Sequence, residues 1–231
     1  MTAIVEPRVE LIAHTTLACN GRSPVIEGHM SLDPDAGDVQ QLVEFAGRAC
    51  YESWSKPNPA TAKNADYIAR TLHGQNHWSI AEHATATFYI TGVSRALTHE
   101  LIRHRHLSYS QLSQRFVDES EANIVIPPAA RGSEKLMWEF ENAAAGARHS
   151  YRELVEALLD SGLPRKQARE AARAVLPNMV ETRIVVTGNL RAWREVIERR
   201  TAPDADAEFQ EVAGLIRDEL RKLAPEVFPA P

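Results

Sequence analysis

Cysteine is scarce: Cys19 and Cys50 are the only two in 231 residues, far apart and in no Cys-x-x-Cys spacing. That excludes a disulfide framework and a cysteine-built zinc site, and it fits a reducing cytoplasm. No apolar run approaches the roughly 20 residues a membrane-spanning helix needs. The opening "MTAIVEPRVELIAH" has no basic stretch followed by an apolar one, so no secretory signal is expected. Basic charge is not in excess either. Lys and Arg total 26 against 31 Asp and Glu, a net charge of −5, which argues against general nucleic-acid binding. Gly-x-Gly-x-x-Gly and Gly-Lys-Ser/Thr loops are both missing, so a phosphate site must use side chains and helix ends. There is no Gly-x-Ser-x-Gly elbow and no His-Glu-x-x-His, so neither a serine hydrolase nor a metal centre is expected.

What is present is an ordinary globular balance, 44% hydrophobic and 25% charged, suited to one domain over residues 1–231. Val9 to Thr16 reads as a strand, Asn20 to Gly37 as a loop, and Asp38 to Tyr51 as a helix. After the breaker "SKPNPAT", Ala62 to Leu72 reads as a second helix. "HATATFYITG" alternates and is rich in β-branched and aromatic residues, which predicts a strand from about Ala84 to Thr91 closed by Gly92. Ser94 can cap the helix "SRALTHELIRHRH", beyond which irregular chain is expected. "NIVIPP" reads as a short strand, Ser133 to Asp160 as a long helix, and "GLPRKQAREAARAVLP" as another. "ETRIVVTG" reads as a strand ended by Gly188, Asn189 as the cap of "LRAWREVIERR", and Ala207 to Leu223 as the last helix. Helices with a few scattered strands predict an α+β fold, a small, largely antiparallel sheet surrounded by helices.

Polar chemistry concentrates in "RHRHLSYSQLSQR", Arg103 to Arg115, with three arginines, two histidines, three serines, two glutamines and no acid. Guanidinium forks match phosphate oxygens in pairs and stay charged at any working pH. Dipole compensation at a helix end explains Arg103 and Arg105, but not Arg115 or the serines and glutamines. Two further places add cations. Arg165, Arg169 and Arg173 share a helical face, which alone reads as a solvated face. Asn189 and Arg191 stand at a helix start, where free N–H groups attract phosphate, and Arg199 and Arg200 close that helix. Together these places resemble a divided polyanion site. His99, His104 and His106 do not share one helical face, which weakens a zinc reading.

"RHRHLSYSQLS" also satisfies Arg-His-Arg, seven residues, then Ser, the signature of the flavin-dependent thymidylate synthases. "HWSIAEH", "ARAVLP" and "ETRIVVTGNLRAW" resemble other segments of that family in the same order, so the resemblance runs from about Val43 to Arg200. It implies an α+β homotetramer with active sites built from several subunits. The implied reaction is reductive methylation of dUMP to dTMP, with methylenetetrahydrofolate as carbon donor, FAD as cofactor and NADPH as reductant. By motif position, Ser79, Arg103, His104, Arg105, Gln111, Asn189 and Arg191 would contact FAD. Glu100, Arg103, Gln111, Leu112, Ser113, Gln114, Arg115 and Arg173 would hold dUMP, with Ser113, Arg115 and Arg173 toward its phosphate.

The resemblance puts Arg200 against the uracil, favouring ionisation at N3, and makes Ser113 a positioning group. Electrostatics agrees: a guanidinium beside the ring stabilises the N3 anion and makes C5 more nucleophilic. The hydride and one-carbon chemistry belongs to the cofactors. Neither cysteine stands in the Pro-Cys context of the unrelated cysteine-dependent synthases. Ser110 and Glu195 depart from the family pattern, Glu195 near the expected flavin. The alternatives are a nucleotide-binding protein without this chemistry and, more distantly, a metal-dependent hydrolase.

Overall fold

The computed structural model describes residues 3–21, 23–54, 60 and 62–230. Its centre is a four-stranded sheet: β1 (Arg8–His14), β2 (Thr85–Ser94), β3 (Leu107–Gln111) and β4 (Glu181–Asn189), in the order β1-β2-β4-β3. Every neighbouring pair is antiparallel. Around it stand α1 (Ala18–Gly21), α2 (Pro24–His29), α3 (Asp38–Tyr51), α4 (Asn64–Ile68), α5 (Arg95–Leu101), α6 (Glu134–Asp160), α7 (Arg165–Ala172), α8 (Leu190–Arg200) and α9 (Ala207–Leu223). The expected α+β class is the one observed.

Alternation along the central strands decides which face is covered. Ala86, Phe88 and Ile90 of β2 and Ile184 and Val186 of β4 are buried, and they join one core with residues of α3, α5, α8 and α9. Trp193 of α8 meets Phe88 edge-on, centroids 5.0 Å apart, and its indole N–H donates to the Ala86 carbonyl at 3.0 Å. The opposite face is half-buried and polar: Thr87 and Thr187 share a 2.9 Å hydrogen bond across the strands. A smaller cluster of Ile124, Ile126, Ala130 and Ala144 seats α6.

Several boundaries differ from the sequence expectation for identifiable reasons. The strand expected to close at Gly92 runs on to Ser94, because Gly92 forms a bulge. Its φ is +67°, and a Cβ there would come within 1.9 Å of the Glu6 carbonyl oxygen, so only glycine fits. The loop expected from Asn20 to Gly37 carries α2, started by Pro24 and capped by Ser23. The helix expected over Ala62 to Leu72 is α at Asn64–Ile68 and a π turn at Ala69–Gly74. "NIVIPP" makes only isolated bridges, from Ile124 to Ile4 and Val180. The chain after α5 is not wholly irregular, since Leu107–Gln111 pairs with β4. Part of the "SKPNPAT" breaker lies outside the described residues. Among the described residues no helix is long and apolar enough to cross a membrane.

Candidate active site

The site begins where α5 stops. Ser94 caps this helix, its side chain accepting from the Leu97 N–H at 3.1 Å. After Leu101 the chain turns through Arg103–His106 and enters β3, with His106 at a φ of +64°. Tyr109 of β3 pins that turn: its hydroxyl sits 2.9 Å from the carbonyls of both Leu101 and His104. Burial pushes the Tyr109 phenol up to about 12, so it stays a donor. The tyrosine therefore acts on the backbone of the arginine-rich turn.

Arg200, at the end of α8, packs into this turn. Its Nε donates to His104 Nε2 at 2.9 Å, Nη1 to Glu100 Oε2 at 3.0 Å, and Nη2 to the Glu100 carbonyl at 3.3 Å. Its guanidinium lies 4.8 Å from the Phe209 ring centroid, and the buried His104 ring meets the same phenylalanine edge-on. Burial, then the Arg200 charge, lowers the His104 pKa. Arg103 and Arg105 are exposed, and their side chains make no hydrogen bond or ion pair among the described residues.

These groups line one cavity: Glu100, Arg103, His104, Arg105, His106, Glu195, Arg199 and Arg200, enclosing about 560 Å³. His106 and Glu195 also wall an adjoining cavity of about 210 Å³ with Glu82, Asn189, Arg191 and Ala192. Asn189 caps α8, its Oδ1 accepting from the Ala192 N–H at 2.8 Å, and its amide nitrogen has no partner among the described residues. Arg191 pairs with Glu82, which reaches it from the turn of 3-10 helix at Trp78–His83. Ser79 stands exposed on the same short helix and lines neither cavity. Glu195 does not face the cavities as an isolated negative charge, because Arg199 pairs with it at 2.9 Å.

The remaining candidates lie elsewhere. Strand β3, about 13 Å long at roughly 3.3 Å per residue, separates the Arg103–His106 turn from Leu112–Arg115. Gln111, at the far end of β3, donates to Thr98 Oγ1 at 3.0 Å and Thr182 Oγ1 at 3.2 Å, while the Leu112 N–H donates to the Arg183 carbonyl. The Ser113 carbonyl closes a turn by accepting from the N–H groups of Phe116 and Val117, and the hydroxyl has no partner among the described residues. Gln114 is 6% exposed, and its amide nitrogen is buried without an acceptor. Arg115 ion-pairs with Glu170 at 2.6 Å. Arg173 lies beyond α7, close enough to Arg95 for their charges to interact. Burial pushes Glu119, the acid beside Arg95, up to about 7.

One chain thus brings together Glu100, Arg103, His104, Arg105 and Arg200, and adjoins them to Asn189 and Arg191. It does not bring Ser113, Gln114, Arg115 and Arg173 to them. The sequence pointed to His106 and Arg199 without giving either a ligand to contact, and it did not single out Glu82, which was within reach inside the quoted "HWSIAEH". The residues fit a phosphorylated cofactor on a physical test: two unpaired guanidiniums flank a cavity in an acid-rich chain, and they lack an anion.

Paired cavities walled by guanidiniums, beside an antiparallel sheet, have the chemistry that suits phosphorylated ligands. A family model described as thymidylate synthase complementing protein matches residues 34–226. The flavin-dependent thymidylate synthase of Mycobacteroides abscessus is 51% identical, over 99% of this chain and 91% of that one. That of Mycolicibacterium gilvum is also 51% identical over the same shares. That of Mycobacterium bovis (strain BCG / Pasteur 1173P2) is 50% identical over 96% of this chain and 88% of its own. The chain belongs to the flavin-dependent thymidylate synthase family.

Proposed function

We propose that this chain converts dUMP to dTMP by reductive methylation, as a flavin-dependent thymidylate synthase. Family membership supports the reaction. The structural observation that carries the reading is the unpaired pair Arg103 and Arg105 beside the lock on Arg200. Arg103, Arg105, Arg191, Asn189 and the segments holding His104, Ser79 and Gln111 would bind FAD. When bound, the flavin supplies the reducing equivalents, renewed by NADPH, and methylenetetrahydrofolate supplies the carbon.

The protein's share is binding and electrostatics. Arg200 has five N–H donors, and the contacts to His104 and Glu100 use three of them. Its remaining N–H groups face the uracil, and its charge stabilises the base without its N3 proton. The buried amide of Gln114 supports a ligand acceptor beside Ser113, because an unmatched buried donor costs about 1–3 kcal/mol. The dUMP phosphate supplies that acceptor and draws on Ser113, Arg115 and Arg173, while Glu100, Gln111 and Leu112 border the nucleotide. Glu170 already neutralises Arg115, so the phosphate competes with a carboxylate there.

The separation of these groups along β3 supports an active site shared between subunits of a homotetramer. So does α6, which exposes Leu136, Trp138 and Leu154. The acidic balance supports small anions rather than nucleic acid as partners, and no membrane partner is proposed. Two exposed free cysteines suit a reducing cytoplasm. The test is direct: purified protein with dUMP, methylenetetrahydrofolate, NADPH and FAD should form dTMP. Flavin binding without dTMP would leave only a nucleotide-binding protein.

A further inference from the structure

We infer that His104 is the positioning residue for Arg200: its uncharged ring holds the guanidinium in the orientation the substrate base requires. The inference rests on the reading of Arg200 as the group that faces the uracil. Arginine has donors only, so a 2.9 Å contact from its Nε requires His104 Nε2 to be unprotonated, with the ring proton on Nδ1. The ring cannot swing away easily. It is 9% exposed, seated edge-on against Phe209, and hung on a turn whose carbonyls Tyr109 holds at both ends. Arg200 rests on the same phenylalanine, so histidine and arginine share one aromatic platform. The neighbouring Arg103 and Arg105 stand outside this lock, which separates ligand binding from arginine positioning within a single Arg-His-Arg run.

A neutral acceptor is the suitable partner. Glu100 already places one carboxylate on Nη1 at 3.0 Å, and a second in the place of His104 would neutralise much more of the charge that Arg200 is to lend the base. The charged neighbours of the ring are Glu100 from α5 and Arg200, Glu195 and Arg199 from α8. From α9 the ring meets Phe209, which does not titrate, and the β3 phenol of Tyr109 stays neutral. Burial and then the Arg200 charge depress the His104 pKa below its ordinary 6.5. As pH falls through that lowered value, Nε2 takes a proton, the acceptor disappears and a second cation faces Arg200. Above it the lock is intact.

The test measures kcat against pH at saturating dUMP, with flavin retention and dUMP affinity followed separately, in the full-length flavin-loaded enzyme. His104→Ala is expected to lower kcat about 10- to 100-fold, the scale of one hydrogen bond to a charged group, with flavin retained. His104→Gln offers an amide oxygen near the Nε2 position that does not titrate. It should recover most of the neutral-pH turnover and lose the part of the acid limb that the histidine contributes. Titration of the dUMP phosphate persists in both proteins and cancels in the comparison. A glutamine variant that keeps the full wild-type acid limb, or one as impaired as alanine, would overturn the lock. Arg200→Lys runs in parallel: wild-type turnover there overturns the reading of Arg200 itself. An inactive Arg200→Lys beside an unimpaired His104→Ala overturns only the role of His104. If His104→Ala fails to fold, Tyr109→Phe loosens the same turn and should lower kcat a few-fold with flavin retained, as expected for one neutral hydrogen bond. Unchanged kcat in that variant counts against the lock.

Discussion

Two arginine clusters that look alike in sequence behave differently in the fold. At the Arg103–His106 turn, Arg103 and Arg105 are unpaired among the described residues, and Arg200 is held by a neutral histidine, a phenylalanine ring, and the carboxylate and carbonyl of Glu100. At the Ser113–Glu119 end, cations already have acids. Arg115 pairs with Glu170, and Arg169 donates to the Phe116 carbonyl and to Asp118, both at 2.7 Å. Burial alone would raise the Asp118 pKa, but hydrogen bonds from Ser120 and Arg169 bring it below its usual value. In the first cluster Arg103 and Arg105 therefore present free charge to a ligand, while Arg200 shares its charge with Glu100. In the second, Arg169 maintains a turn while Arg115 must be won from a carboxylate.

The largest effect that sharpens this contrast is expected at Arg200. Arg200→Ala should cut turnover by about 100-fold or more, the scale of removing a fixed charge-stabilising donor, while flavin stays bound. Equal loss of flavin and turnover would instead make Arg200 part of the general polyanion wall. Next comes Arg105→Ala, expected to weaken flavin binding about 10-fold and to leave Tm nearly unchanged, since no internal bond is lost. A marked fall in Tm would remove the distinction between the clusters.

Arg169→Ala should show the reverse. Losing bonds to Phe116 and Asp118 should destabilise the protein by about 1–3 kcal/mol, read by denaturant unfolding, with flavin affinity intact. The smallest effect belongs to Glu170→Gln. The Arg115–Glu170 pair is 42% and 44% exposed, and such pairs are worth about 0–1 kcal/mol. Freeing Arg115 should therefore tighten dUMP at most about 5-fold. Weaker dUMP binding would show that Glu170 orients Arg115 rather than competing for it.

Long periodic elements were legible in the sequence. Asp38–Tyr51 and Ala207–Leu223 match expectation at both ends, because amphipathic spacing and local end signals act within a few residues. Asn189 was legible as a cap for the same reason. Strand β3 was not, since "LSYSQ" alternates over only five residues with two apolar positions and gains its conformation from pairing with β4, far along the chain. Within the site, arginines could be listed but not sorted. Arg103, Arg115 and Arg169 carry the same charge and differ only in what folds against them. Nothing in the local pattern marks Tyr109, yet its hydroxyl holds the turn beneath His104.

Taken alone, the sequence determined the α+β class, the Arg-His-Arg signature and the absence of a nucleophilic-cysteine or glycine-loop solution, because these depend on residue type and short spacing. The tertiary structure decided which cations are free, which are locked and which must be released. It also separated Arg200 from Ser113 and Arg115 along a strand. Those outcomes depend on contacts between residues as distant as His104 and Arg200 or Arg115 and Glu170, which no local pattern encodes.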